Sequence, residues 1–142
     1  MMANERTTFQ QLAKLRLEEA KALFQSGQSS GAYYLAGYCL ECALKAIIAR
    51  QFRADEIPDR NLVNKIYTHD LSDLLRLAGL ESQLDAARQA NSEIDRRWSI
   101  AKNWTEQARY SIWTTEQAAA IIDAVVGDGP DGGLFQWLNA RW

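Results

Sequence analysis

The stretch Ser30-Gly31-Ala32-Tyr33-Tyr34-Leu35-Ala36-Gly37-Tyr38-Cys39-Leu40-Glu41-Cys42-Ala43-Leu44-Lys45-Ala46-Ile47-Ile48-Ala49 decides the fold, because wound as a helix it is apolar on almost every face. Such a helix belongs in the middle of a bundle with neighbours on several sides, and the pattern extends it over 30–52. Gly31 and Gly37, with Ala32, Ala36 and Ala43, allow those neighbours to come close. The part from 32 to 49 also raises the question of a membrane span. Glu41 and Lys45 stand near its middle, where hydrocarbon would penalise both. The central helix of a soluble bundle fits better, and no membrane partner is expected.

Working outward, Thr8 with Gln11 three residues on resembles a capping box, opening a first helix that reaches to residue 26. Its apolar stripe is Phe9, Leu12, Ala13, Leu17, Ala20 and Phe24, with Lys14, Glu18, Glu19 and Lys21 off it. The short stop Ser26-Gly27-Gln28-Ser29-Ser30 makes the first two helices antiparallel neighbours. Beyond the central helix, the charged run from Arg53 to Arg60, with Pro58 inside it, reads as an irregular, solvated segment. Thr68 caps a third helix over 69–78, which Gly79 ends. A fourth helix starts near Leu80 and presents Leu84, Ala87, Asn91, Ile94 and Trp98 as a near-heptad seam. Thr114 or Thr115 caps a fifth, with Ala118, Ala119, Ile122, Val125 and Val126 inward. Asp128-Gly129-Pro130-Asp131-Gly132-Gly133 reads as a turn, and 134–142 as a last short helix. The expectation is an all-α, up-and-down antiparallel bundle of four to five helices plus a short C-terminal helix, in a single domain over 1–142.

With 142 residues, 47% of them hydrophobic, the chain can bury a core without disulfides or metals. Its net charge of −2 and isoelectric point near 5.4 provide no overall positive field for nucleic acid or membrane. Cys39 and Cys42 have redox or zinc spacing, yet they fall mid-helix in the most apolar stretch and read as buried structural thiols. His69 is the single histidine, so a two-histidine metal site within the chain is excluded. No metal and no cofactor are expected. The N-terminus lacks the charged-then-apolar pattern of a signal peptide, which implies a cytoplasmic location.

Several fragments in order carry a family resemblance: Gly31-Ala32-Tyr33-Tyr34-Leu35-Ala36-Gly37-Tyr38 running into Glu41, Leu44, Lys45 and Ala46; Tyr67-Thr68-His69-Asp70-Leu71 before Leu74 and Ala78-Gly79-Leu80; Asn103-Trp104; Ala108-Arg109-Tyr110; and Gly133-Leu134 before Trp137-Leu138. From Leu12 to Trp142 the chain resembles the HEPN domain family, the "higher eukaryotes and prokaryotes nucleotide-binding" domains. The resemblance implies a helical bundle, commonly a homodimer. In bacteria it further implies association with a minimal nucleotidyltransferase in toxin–antitoxin or phage-defence systems. Many members are metal-independent endoribonucleases that use an Arg, four to six residues and then a His, late in the chain. No histidine follows His69 here, eight residues separate Arg60 from it where the motif has four to six, and Lys65 has the wrong identity. That motif is not carried over.

The polar residues left to weigh are Glu41, Lys45, His69, Asp70, Arg109 and Tyr110, the candidate ligand-binding set. Glu41 and Lys45 are at i,i+4 in the favourable order. A carboxylate buried on so apolar a helix needs a partner, and Lys45 or Arg109 can supply one. Asp70 and Thr68 suit the first amides of the third helix, while His69 suits a hydrogen bond to a neighbouring helix. Tyr34 and Tyr38 share the Glu41/Lys45 stripe. Trp98, Trp104, Tyr110 and Trp113, interleaved with Arg96, Arg97, Lys102 and Arg109, read as core or interface aromatics, or else as a base-stacking surface. The functional expectation is a non-catalytic homodimer binding a nucleotide, RNA or a nucleotidyltransferase. The rival is a divergent metal-independent endoribonuclease with a composite His69/Arg109 site across a dimer.

Overall fold

A computed structural model describes residues 5–128 and 132–142. Those residues hold eight α-helices and one 3₁₀ helix, with no strand among them. The helices are α1 Arg6–Gln25, α2 Ser29–Ala49, α3 Arg60–Lys65, α4 Leu71–Leu77, α5 Glu81–Ala90, α6 Ser92–Ala101, α7 Thr115–Val126 and α8 Leu134–Asn139, with the 3₁₀ helix at Glu106–Tyr110 between α6 and α7. The all-α expectation holds, with more and shorter elements than the four to five expected.

Helix α2 is the axis. Around it pack α1, α4, α7, α8 and the 3₁₀ helix, and Leu40, Leu44 and Ile48 from α2 meet Leu71, Leu74, Ile121 and Val125 in one core. It is long and apolar enough to cross a membrane by composition, yet 72% of its apolar stretch is buried inside the molecule. Helices α1 and α2 are joined by residues 26–28, where Gly27 takes a positive φ of 80°. Gly31 lets α1 close in, since a Cβ there would lie 3.1 Å from Leu23 Cδ1.

Three boundaries differ from expectation, each for a local reason. Thr8 does not cap α1; it lies within the helix and is buried, so its place on the inward face outweighs its capping propensity. The single helix expected after Leu80 is two helices. Asn91 leaves helical geometry (φ −142°, ψ 110°) and accepts hydrogen bonds from the Glu93 and Ile94 amides, so a residue placed on the seam is instead the N-cap of α6. Asp59 does the same for α3, accepting from Asn61 and Leu62. Besides these, α2 stops at Ala49 short of residue 52 and α8 at Asn139 short of 142, while other sequence signals hold. Residues 53–60 are exposed throughout, Gly79 turns at φ 75° after α4, and Thr114 and Gln117 form the capping box of α7. The expected turn over 128–133 includes 129–131, which lie outside the described residues.

Cys39 and Cys42 are free and buried. Burial pushes the Cys42 thiol up to about 12, with the Glu41 carboxylate adding to the effect, and raises Cys39 as well. In the unfolded chain both thiols ionise from about pH 8.5. Above that pH the unfolded state gives up protons that the folded state keeps, so stability is full below pH 8.5 and falls as pH rises. The expected slope is about 1.4 kcal/mol per pH unit per thiol. Urea midpoints taken between pH 8 and 10 should show it, with a shallower slope in Cys39→Ala/Cys42→Ala; an unchanged slope in that variant would assign the effect to other groups.

Candidate functional site

Asp70 is the N-cap of α4, its side chain accepting from the Asp73 amide at 2.9 Å. Thr68 Oγ1 in turn accepts from the Asp70 amide at 3.2 Å. The helix therefore starts two residues later than the sequence suggests, and His69 sits just outside it. That placement leaves the imidazole clear of the α4 backbone and turns it toward α2.

There it meets Glu41. His69 Nδ1 lies 3.0 Å from both carboxylate oxygens, and because a carboxylate only accepts, Nδ1 carries the proton. Lys45 Nζ donates to Glu41 Oε2 at 3.3 Å. The Glu41 side chain is 3% exposed and Lys45 is largely covered, whereas His69 remains 41% exposed. The sequence reading thus placed Glu41 with Lys45 correctly, and His69 does lock the segment before α4 onto a neighbouring helix.

The far side of the ring holds a residue that sequence reasoning missed. Glu106 Oε2 is 3.3 Å from His69 Nε2. With Glu106 in place, a carboxylate stands beside each ring nitrogen of His69. Glu106 begins the 3₁₀ helix, whose N-cap Thr105 accepts from the Gln107 amide. The signal was present: Thr105-Glu106-Gln107-Ala108 has the same residue types as the α7 start, Thr115-Glu116-Gln117-Ala118.

Arg109, three residues on, is placed elsewhere. Its guanidinium lies over the Tyr110 ring, 4.8 Å from the centroid, and the hydroxyls of Tyr110 and then Tyr34 help to hold its pKa above the usual arginine value. The partners of Glu41 are Lys45 and His69, so the alternative of an Arg109–Glu41 pair is not the one formed. Tyr110 is well exposed. Of the aromatic group, Trp98 and Trp104 are buried in the core and Trp113 stacks on Tyr33 at 3.7 Å. Three of the four are therefore packing residues, and they do not form a stacking surface.

Glu41, Lys45 and His69 form the polar wall of a cleft of about 540 Å³ between α1, α2, α3 and the segment before α4. Phe9, Leu12, Ile48, Phe52 and Ile66 provide its apolar walls. Tyr38 also lines it; burial, then Cys42, Glu41 and Tyr34, raise its pKa, so the phenol stays protonated as a donor beside the carboxylate. Tyr34 turns away, stacked at 6.0 Å on Trp104. Among the described residues no group of three or more His, Cys, Asp or Glu side chains could hold a metal ion. Chemically, the cleft can enclose a flat apolar body and offer hydrogen-bond donors and a carboxylate along one edge. Compared with protein-family models, curated proteins and solved structures, the chain gives no significant match.

Proposed function

We propose that the chain is a HEPN-like binding module, without catalytic activity of its own, whose cleft takes the base of a nucleotide or of an RNA. The cleft carries the reading: its volume of about 540 Å³ falls in the range of small-molecule sites, and it joins mostly apolar walls to a few convergent polar groups. Phe9, Phe52 and Tyr38 offer faces for a ring, while Lys45 and Tyr38 offer donors and Glu41 an acceptor. With the Glu41 carboxylate against Lys45 and His69, the wall is not a strong cation, so it suits the edge of a base better than a phosphate. The engaged ring nitrogens of His69 support a binding role over a ribonuclease.

The remaining parts of this proposal rest on the family resemblance: a homodimer, a cytoplasmic and bacterial setting, and a nucleotidyltransferase partner in toxin–antitoxin or phage defence. Calorimetry with ATP, GTP and short RNAs tests the ligand. Saturable binding is expected, weakened about tenfold or more by Ala49→Phe, which narrows the cleft. No heat with any of them at about millimolar concentration would overturn the nucleotide reading and leave a partner protein as the occupant. RNA cleavage by the purified chain that disappears in a folded His69→Ala variant would replace the binding reading with the composite His69/Arg109 nuclease.

A further inference from the structure

On another side of α2 a second pocket, of about 450 Å³, opens between the end of that helix, the corner joining α4 to α5, and Arg141 just past α8. It shares no lining residue with the Glu41–His69 cleft. Two arginines, Arg50 and Arg141, line it, and no acidic residue does. Arg141 is held in place. Its guanidinium stacks on Trp137 at 3.7 Å from the ring centroid, Nη1 donates to the Trp137 carbonyl at 2.8 Å, and Nε donates to Gln83 Oε1 at 3.2 Å. Arg50 reaches across from the end of α2 and donates from Nη1 to the Arg141 carbonyl at 2.7 Å.

Both arginines line the one pocket, and most of the donors on each guanidinium are left unspent on the protein. Acidic side chains on the adjoining helix are committed elsewhere: Glu81 lies 3.6 Å from Arg76, and Asp85 lies 3.7 Å from Arg88. Burial lowers the pKa of Arg141, as expected for a partly desolvated cation with no counter-charge beside it. The start of α5 adds to the same field. Leu80, its N-cap, supplies no side-chain oxygen to the first amides, and Gly79, Leu80 and Gln83 line the pocket. A positioned pair of guanidinium forks beside an uncapped helix start is a recognition set for a tetrahedral oxyanion.

We propose that this pocket binds the phosphate group of a phosphorylated small ligand through Arg50 and Arg141. A separate phosphate site goes beyond the base-binding cleft and does not depend on it. Pyrophosphate is the probe, titrated by calorimetry against the folded chain at matched ionic strength in chloride. Saturable binding is expected, with a loss of about tenfold or more in Arg50→Gln and again in Arg141→Gln. Because Arg141 also ties down Trp137 and Gln83, Arg50→Gln at an exposed helix end is the decisive variant, with its fold checked by circular dichroism. Vesicles of phosphatidylcholine with phosphatidic acid form the second arm. Capture lost in Arg50→Gln would assign the phosphate to a lipid headgroup, and pyrophosphate binding without capture would assign it to a soluble ligand. Binding of neither, or binding unchanged in Arg50→Gln, overturns the proposal.

Discussion

Gly37→Ala is expected to destabilise the protein by about 3 kcal/mol or more, read as a large drop in the urea midpoint with the slope retained. A Cβ built at Gly37 would lie 2.2 Å from the indole of Trp104, well inside contact distance. The indole has nowhere to retreat: Trp104 is 1% exposed, and its Nε1 donates to the Tyr34 carbonyl at 3.1 Å. Either α2 shifts or the segment before the 3₁₀ helix lifts away. Trp104→Ala should cost about 3–5 kcal/mol by the opposite route, leaving a cavity of indole size. The two changes share one space, so Gly37→Ala/Trp104→Ala should cost much less than the sum of the single changes. Strict additivity would show that Gly37 and Trp104 do not touch.

Glu41→Leu is expected to cost about 2–4 kcal/mol, because it leaves the covered Lys45 ammonium and the His69 Nδ1–H without their acceptor. Glu41→Gln keeps one oxygen for His69 and should cost about 1 kcal/mol. Chemical unfolding of both variants at pH 7 separates two views of the same residue. If Glu41→Leu is less stable, the carboxylate is part of the scaffold. If it is as stable as the wild type or more so, the chain keeps a buried charge for a ligand at its own expense.

The architecture was legible wherever a single residue type had one physical use. The all-round apolar pattern of α2 implied a central helix; Gly37 implied a close approach, and Thr114 or Thr115 implied a cap, which Thr114 makes. Asn91 and Asp59 were misread because each has two uses, and spacing alone does not say whether an asparagine lies on a seam or ends a helix. Glu41 and Lys45 could be paired in advance because burial forces a carboxylate to find partners, whereas His69 takes the place that the sequence left open to Arg109. Which third residue would face the histidine depended on the course of a 3₁₀ helix, whose register a 3.6-residue pattern does not describe. Glu106, and not Arg109, is the residue of that 3₁₀ helix that faces the ring within the chain.

The innermost position of α2 also has a cost during synthesis. The helix is complete once residue 49 has been added, but α7, which covers it, is not complete until residue 126. Those 77 residues (126 − 49) take on the order of 4–15 s at typical translation rates. Until they emerge, only α1, then α4 and the 3₁₀ helix can shield the most hydrophobic segment of the chain, and the faces later covered by α7 and α8 are bare. Nascent chains of this protein are thus vulnerable to association with one another while still on the ribosome. Closing α7 and α8 over α2 removes from water the surface through which such association would run.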